Sequence, residues 1–318
     1  MEVRATAPGK AILLGEHGVV YGTSCMAVAI DLHSVMELDF SDRFTVNGYP
    51  VDRVHHAFLD EGLNRLYRCK DGGGHTPLSF HTSSRIPSTS NLGSSSALTV
   101  CCVASLFALT GKKGDEEEIA RESYGVEHDV QGVGSPIDTS VITHGGLLLS
   151  SPERQDEKEL WEIEGGDIRW VMHELDPSSI PGIVIGYTQT KARTMEQVVR
   201  VKKFVESSEF AREVIGEIDE VVRDGYNALK DGDITTFGEL MNRNHDLLSI
   251  LGVNTPALQR LVDASRESSF GSKITGSGGG GSIIALSDEP EETAVSIEEA
   301  GGVSYMVNLE EGGCRIER

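Results

Sequence analysis

The sequence predicts an α+β fold divided into two domains, residues 1–178 and 179–318. A chain of 318 residues is long enough to bury two cores. Short strand-like segments separated by turns fill the first part of the chain, whereas three long helical stretches occupy residues 193–250. Helices packed on antiparallel sheets in both halves would leave a binding site in the cleft between the domains.

In the N-terminal half, apolar segments interrupted by Pro-Gly, Tyr-Gly and Asn-Gly turns predict four short strands. These are Glu2–Thr6, Ala11–Leu14, Ser24–Ile30 and Ser34–Phe40. Helical spacing of apolar residues follows over Val54–Cys69 and ends at Asp71–Gly74. Leu78–Ile86 then alternates like another strand.

The next stretch, Pro87–Ala97, is a loop rich in serine directly before an apolar run, Leu98–Leu109, which predicts a helix over 96–110. Such a turn leaves backbone N–H groups unpaired and facing outward. Together with the positive end of the helix dipole, these donors form a phosphate cradle. The structural alternative is a Ser-rich N-cap on a buried helix, and the segment alone leaves both open.

An acidic first turn at 115–118 begins a helix that runs to about Val130, and a strand is predicted over Ser140–Leu149. Polar residues over 152–166 predict a surface hairpin or loop, and the domain boundary follows near Leu175–Pro181. In the C-terminal half, the sequence predicts a strand over Gly182–Thr188 and then four helices over 193–206, 210–230, 233–250 and 256–268. Two strands joined by a glycine loop follow over Lys273–Gly276 and Ser282–Leu286. A helix over Glu291–Ala300 and a strand over Val303–Leu309 complete the prediction.

Composition narrows the classes of partner. The net charge of −22 argues against binding to nucleic acid or to an anionic membrane. Five cysteines without a C-x-x-C pair argue against a disulfide framework or a structural zinc site, and Cys101 and Cys102 should pack as small hydrophobic groups in the helix. We find no signal-peptide layout and no membrane-spanning run, so we expect a cytoplasmic protein.

A first motif, Ala7–Gly22, places one lysine, Lys10, after a Pro-Gly turn and within an apolar segment. Its ammonium group either lies at an edge with the head in water or is directed at an anion. Glu16 and His17 follow a glycine at a strand end, where side chains tend to line a site. These residues alone leave structural and functional roles open.

A second glycine-containing motif, Lys273–Ser282, includes the pattern G-x-G-x-x-G. A dinucleotide fingerprint requires a helix after this pattern, but the residues from Ser282 onward predict a strand, so we reject that interpretation. The many residues without a bulky side chain suggest that the backbone approaches a ligand closely; the alternative is a wide hairpin loop. The chain contains neither a P-loop sequence nor the protein-kinase signatures.

The patterns P-G-K-x-x-L-x-G-E-H, P-x-x-x-x-L-G-S-S and K-x-T-G-x-G-G-G-G occur in this order. Together they resemble the GHMP small-molecule kinase superfamily, and the resemblance runs from Ala7 to about Leu286. Within it, Gly15–Gly22 is similar to the mevalonate kinase branch, in its compact archaeal form. The resemblance implies an N-terminal domain like ribosomal protein S5, a C-terminal ferredoxin-like domain, and a homodimer that uses ATP, with Mg²⁺, to phosphorylate the 5-hydroxyl of mevalonate.

The resemblance also implies roles for individual residues. Glu127 and Asp138 have the spacing of the family's metal ligand and catalytic acid residue. Asp138 would be the general base, Lys10 would lie within salt-bridge reach and keep it ionised, and Ser95 and Glu127 would hold Mg²⁺. The implied ATP contacts are Pro87, Ser88, Thr89, Ser90, Asn91, Leu92, Gly93, Ser94, Ser95, Ser96 and Ala97. The implied substrate contacts are Glu16, His17, Lys191, Arg193 and Gly278.

This chain departs from the family pattern at Asn91, where glycine is usual, but asparagine tolerates a positive φ better than other non-glycine residues.

Two alternative functions use the same fold. One is a kinase for phosphomevalonate, homoserine or a sugar; an extra phosphate would require more cations than Lys191 and Arg193. The other is a non-catalytic small-molecule sensor, and the presence of both Glu127 and Asp138 argues against it.

Overall fold

Two β-sheets with helices packed against them form the part of the chain that the computed structural model describes, residues 3–68, 75–111 and 114–317. The predicted α+β class is confirmed. The predicted helix end at 71–74, Cys69 at the end of the same helix, and Glu2 at the start of the first strand lie outside the described residues.

The first sheet is built mainly from the N-terminal half of the chain. Its strands are β1 (Val3–Leu14), β2 (Cys25–Phe40), β3 (Thr45–Val46), β4 (Tyr49–Pro50), β5 (Leu78–Ser84), β6 (Leu147–Ser151), β7 (Lys158–Gly165), β8 (Ile168–Leu175) and, from the other end of the chain, β13 (Arg315–Glu317). They follow the order β4-β3-β5-β2-β6-β8-β7, and β1 pairs with both β2 and β13.

The four short strands predicted at the start of the chain are two long ones. Pro8 and Gly9 lie inside β1, where the register against β2 shifts, so that Pro8 faces His33 and Gly9 faces Ile30. The extra residues of this β-bulge, Asp31 and Leu32, lie on β2 opposite the Pro-Gly pair, which interrupts the alternation without ending β1. Because β1 continues through the bulge, Lys10 lies within the strand, paired with Ala29 of β2.

Four helices pack on this sheet: α1 (Ala57–Leu66), α2 (Ser94–Thr110), α3 (Glu116–Gln131) and α4 (Ile137–His144). The predicted strand over Ser140–Leu149 is wrong, because its first half is the C-terminal part of α4. The β-branched residues Val141, Ile142 and Thr143 favour a strand by propensity, but burial between α2, α3 and the sheet stabilises them as helix. The hairpin or loop predicted over 152–166 contains only the first strand of the observed hairpin, β7; the second strand, β8, lies beyond this range and was not predicted.

The second sheet contains β9 (Gly182–Tyr187), β10 (Gly271–Thr275), β11 (Ser282–Ser287) and β12 (Val303–Val307), in the order β10-β11-β9-β12. Its helices are α5 (Thr194–Ser207), α6 (Glu209–Lys230), α7 (Ile234–Ile250), α8 (Pro256–Arg266) and α9 (Pro290–Glu299). Here the predicted elements are confirmed in type and order, with small shifts at their ends. The glycine motif joins β10 to β11, two antiparallel strands, as expected.

The end of the chain returns to the first sheet. After β12, residues 308–314 cross over, and β13 pairs with β1 so that Arg4 faces Glu317. Gly313 and Gly145 pass so closely that a Cβ on Gly145 would lie 2.4 Å from the carbonyl oxygen of Glu311. The division at 178/179 stays a prediction, and this crossing adds a strand from the C-terminal half to the first sheet.

Both sheets share one large hydrophobic cluster, which includes Leu13 and Met26 from the first half and Phe237 and Ile284 from the second. Helix α2 is buried along most of its length, and Cys101 and Cys102 pack within it as predicted. Across the described residues, no helix combines the length and the apolar character needed to cross a membrane.

Candidate active site

A cavity of about 190 Å³ lies where the two halves of the chain meet. The first sheet and its helices contribute one wall, and α5 and the glycine motif contribute the other. Residues that line it include Lys10, Glu16, His17, Asn91, Gly93, Ser95, Ser96, Glu127, Gln131, Asp138, Thr194 and Ser277. Nine of the residues predicted for the site, from three separate motifs, are therefore together: Lys10, Glu16, His17, Asn91, Gly93, Ser95, Ser96, Glu127 and Asp138. Seven predicted ATP contacts do not line this cavity: Pro87, Ser88, Thr89, Ser90, Leu92, Ser94 and Ala97.

Lys10 and Asp138 form an ion pair at the centre of this cavity. The Lys10 Nζ atom lies 2.9 Å from Asp138 Oδ2, which confirms the predicted salt-bridge reach. The lysine side chain is only 4% exposed, whereas that of Asp138, in the first turn of α4, is 29% exposed. The carboxylate is thus held by a buried cation on one side and is open to a ligand on the other.

The serine-rich loop lies directly beside Lys10. The Lys10 amide donates to the Leu92 carbonyl at 3.0 Å, and Gly93 is the N-cap of α2 with φ of 78°. A Cβ on Gly93 would lie 2.8 Å from Lys10 Cγ, so only glycine fits here. No side chain caps this first turn, so its N–H groups and the helix dipole face the cavity.

The replacement of glycine by Asn91 is compatible with the loop. Asn91 has φ of 68°, in the left-handed region that asparagine tolerates. The Ser277 hydroxyl donates to Asn91 Oδ1 at 3.2 Å, so the side chain connects the loop to the glycine motif. A position that departs from the family pattern thereby links the two walls of the cavity.

Glu127, on α3, supplies a carboxylate with an unsatisfied oxygen. Its Oε1 atom is shielded from solvent and lacks a hydrogen-bond partner. Burial raises the pKa of Glu127 to about 7; the Ser96 hydroxyl opposes this rise, the nearby Asp138 charge adds to it, and Lys10 opposes it. A shielded, unpaired carboxylate oxygen in a ligand cavity is the kind of group that a bound cation satisfies.

Glu16 has a different partner from the one predicted. Its carboxylate forms an ion pair with Lys273, and the side chains are 1% and 0% exposed. Lys273 Nζ also donates to the carbonyl of Ile274 at 2.6 Å, and the Gly15 amide donates to Asn244 Oδ1 at 3.0 Å. Burial raises the pKa of Glu16 and lowers that of Lys273. Glu16 therefore lines the cavity, but its charge is occupied by Lys273.

His17 lies beside this pair with φ of 62° and is buried. Burial lowers the pKa of His17 to about 4, so the ring is neutral at pH 7. Its Nε2 lies 3.0 Å from the Ser277 carbonyl oxygen, which makes Nε2–H the donor. The ring thus connects the end of β1 to the glycine motif and lines the cavity as well.

Comparisons with known proteins show which family this chain belongs to. The models for "GHMP kinases N terminal domain" and "GHMP kinases C terminal" match residues 58–146 and 226–301. The mevalonate kinase of Thermococcus sibiricus is 32% identical, with 100% of this chain and 99% of the relative covered. This chain belongs to the GHMP kinase family. The family resemblance found in the sequence is confirmed, and the protein is an ATP-dependent kinase.

Two further comparisons extend over nearly the same length. The mevalonate kinase of Methanothermobacter thermautotrophicus is 34% identical over 90% of both chains. The crystal structure of the Methanococcus jannaschii mevalonate kinase superposes with a TM-score of 0.75, at 27% identity, over 100% of this chain and 98% of that one. The arrangement of two sheets with helices packed against them is therefore the GHMP kinase fold.

Three residues predicted for the substrate side of this GHMP kinase do not line the cavity. Arg193 is 71% exposed and lies 3.1 Å from Glu196, and Lys191 is exposed as well. Gly278 packs against Val253 of the α7–α8 turn. The neighbouring residues Thr194 and Ser277 line the cavity instead, and no signal in the sequence distinguished them from their neighbours.

Sequence reasoning also missed a second cavity on the other side of the serine-rich loop. Its volume is about 280 Å³, and Ser95 lines both cavities. Most of the wall surface is apolar and comes from Met36, Val46, Ala57, Phe58, Leu59 and Leu98. The polar residues that line it besides Ser95 are Asn47, His55, His56, Thr82 and Thr99. The apolar residues come from β2, β3, α1 and α2, whose contacts are too distant in sequence to predict from local patterns.

Proposed function

We propose that this GHMP kinase transfers the γ-phosphoryl group of ATP to the 5-hydroxyl of mevalonate and releases ADP and 5-phosphomevalonate. The observation that carries the proposal is the Lys10–Asp138 pair, open to the cavity and adjacent to the uncapped first turn of α2. The relatives called mevalonate kinases match over the full chain, which favours mevalonate over other acceptors.

The loop and the second cavity support ATP binding. The free N–H groups at the start of α2 suit the nucleotide phosphates, because their partial positive charge faces the cavity. We assign the second cavity to adenine, since its apolar walls suit an aromatic base and it adjoins the loop at Ser95. In this orientation the γ-phosphate would lie toward Lys10.

Asp138 is the proposed general base. Its exposed carboxylate oxygen would accept the proton of the acceptor hydroxyl while the new P–O bond forms and the bond to ADP breaks. Lys10 would balance the negative charge of Asp138 and of the phosphoryl group. Because the transition state is loose, positioning of the two reactants and neutralisation of charge supply most of the acceleration.

The residues present also fit a magnesium ion. Glu127 offers the unpartnered Oε1, and Ser95 offers a hydroxyl at the same cavity. Within the described part of the chain there is no group of three or more His, Cys, Asp or Glu side chains that could hold a metal. A site of this kind suits Mg²⁺, which commonly takes one or two protein ligands and completes its shell with phosphate and water. Bound there, the ion would neutralise phosphate charge.

On the acceptor side, His17 remains a candidate because it lines the cavity, whereas Glu16 would support the site through Lys273. The roles proposed for Lys191, Arg193 and Gly278 remain predictions, as do the homodimer and the cytoplasmic location. Arg193 immediately precedes Thr194, which lines the cavity wall.

A coupled ADP-release assay with Mg-ATP tests the proposal. Mevalonate, phosphomevalonate, homoserine and galactose are offered separately to the wild type, to Asp138→Asn and to Asp42→Asn, a control for loss of an exposed carboxylate. We expect turnover on mevalonate alone, abolished only in Asp138→Asn. Turnover on another acceptor would overturn the substrate, and ATP binding without any turnover would overturn the kinase assignment to these residues.

A further inference from the structure

A third cavity, which we call the annex, adjoins the active-site cavity and has aromatic walls. Its volume is about 260 Å³, and Tyr21, Tyr124, Ile168 and Trp170 line it together with two polar side chains, His128 and Lys202. The indole N–H of Trp170 donates to the Val19 carbonyl at 2.8 Å, so this polar group is satisfied and the ring presents apolar surface. The annex is therefore suited to an apolar group of moderate size.

The wall between the annex and the active-site cavity is thin. Val20, Val133, Gly134 and Val198 line both cavities, and all four are half-buried. Val20 packs against the large hydrophobic cluster, whereas, among the described residues, Val133 and Val198 belong to neither core cluster. These two valines thus separate the two cavities without being packed into a hydrophobic core cluster.

The wall lies on the side of the active-site cavity where we place the acceptor. The phosphate end of the active-site cavity is formed by Gly93 and Ser95, and the Lys10–Asp138 pair lies next to it. An acceptor whose hydroxyl meets Asp138 must extend away from the phosphates, into the part of the cavity that the valines close. Any apolar substituent there would meet an isopropyl group before it reached the annex.

We infer that Val133 and Val198 determine the largest apolar substituent that the acceptor can carry, and that their removal joins the annex to the acceptor site. This inference rests on the proposed function. The ligands would be acids of the mevalonate type, with the same carboxylate and hydroxyls, in which a chain of about four carbons or a phenyl ring replaces the methyl group. With both valines intact, such acceptors are excluded by contact with the wall.

The test compares mevalonate with its homologue that carries a butyl group in place of the methyl. The proteins are the wild type, Val133→Ala, Val198→Ala and the double variant, each checked by thermal melting. We expect kcat/KM for the butyl homologue to rise about 10-fold or more in at least one alanine variant, chiefly through a lower KM, because a few methylene groups in a fitted pocket change selectivity by this amount. Val199→Ala is the matched control, since Val199 is 40% exposed on the same helix and lines neither cavity.

A second variant shows whether the annex holds the added chain. Ile168→Trp fills the annex from a residue that does not line the active-site cavity, so in the double-alanine background it should cancel the gain on the butyl homologue. A gain that survives Ile168→Trp, or a selectivity ratio within about 2-fold of wild type in all three alanine variants, would overturn the inference. Failure of the wild type on mevalonate itself would overturn the proposed function, and this result precedes the variants.

Discussion

Two buried lysine–carboxylate pairs lie within the same site, and they differ in what surrounds them. Lys10 meets Asp138, whose side chain is 29% exposed to the cavity. Lys273 meets Glu16 with both side chains almost fully buried, and Lys273 Nζ also donates to a backbone carbonyl. The first carboxylate has an open side, whereas the second is enclosed by its partners.

The difference shows that the same combination of charged groups can act on a ligand at one position and stabilise the fold at another. An ion pair that is open to a ligand can exchange a proton with it or attract it. An enclosed pair has no ligand to meet, and it connects the end of β1 to β10, two elements from opposite ends of the chain. Removing one lysine from each pair should therefore give opposite results.

The largest effect is expected on activity from Lys10→Met. This change keeps a long apolar stem and removes the charge beside Asp138 and the phosphates, so kcat should fall about 10³-fold or more. The free energy of unfolding, measured in urea, should change much less, because Asp138 can still be reached by water. A loss of stability matched to the loss of activity would contradict the distinction between the pairs.

Lys273→Met should give the reverse pattern. Glu16 would be left buried without its partner, and breaking such a pair costs about 3–5 kcal/mol of unfolding free energy. Urea denaturation measures this loss, and the double variant Lys273→Met/Glu16→Gln should recover much of it because no charge is then stranded. If the double variant were as unstable as the single one, the pair would not be the source of the effect.

A smaller effect is expected where the loop meets the open pair. Gly93→Ala forces a left-handed φ of 78° on alanine and brings its Cβ to 2.8 Å from Lys10 Cγ. The strain should cost about 1–3 kcal/mol and should raise KM for ATP, since the first turn of α2 must shift. Gly111→Ala at the other end of the same helix has a similar φ of 70° with no neighbour within 4 Å, and it serves as the control.

The smallest effect expected is a pH dependence of the unfolding free energy that comes from His245, near the enclosed Lys273–Glu16 pair. Burial lowers the pKa of His245 to about 4. Its Nδ1 accepts from the Ile274 amide at 3.4 Å, next to Lys273, and its Nε2 lies 3.2 Å from Gln259 Oε1. Between pH 6.5 and 4 the unfolded chain binds more protons at this residue than the folded one. Its contribution to stability is thus complete above pH 6.5 and is lost as the pH falls toward 4.

The measurement is the unfolding free energy of the wild type minus that of His245→Gln, followed from pH 7.5 to 4.5. This difference should decrease by at most about 1.4 kcal/mol per pH unit, and subtraction removes the opposite contribution of Glu127, whose pKa is raised. His81→Gln, at an exposed position, is the matched control. An unchanged difference for His245→Gln would mean that the buried ring is not the titrating group.

The contrast between the pairs also marks what the sequence could predict. Lys10 and Asp138 lie in recognisable motifs, and the second half of the fold has strong helical periodicity, so both were predicted. Lys273 and Glu16 are 257 residues apart, and neither local spacing nor propensity relates them. The strand predicted over 140–149 failed for a similar reason, because tertiary packing decided the structure of β-branched residues.

The return of the last strand to β1 has a consequence for how the protein is made. The strand that carries Lys10 is synthesised well before one of its neighbours, Arg315–Glu317. The first sheet therefore cannot be complete until β13 has been synthesised, after all the strands and helices of the second sheet, and until then that edge of β1 lacks its final partner. A nascent chain of this kinase thus completes its first sheet only after the strands of its second sheet have been made.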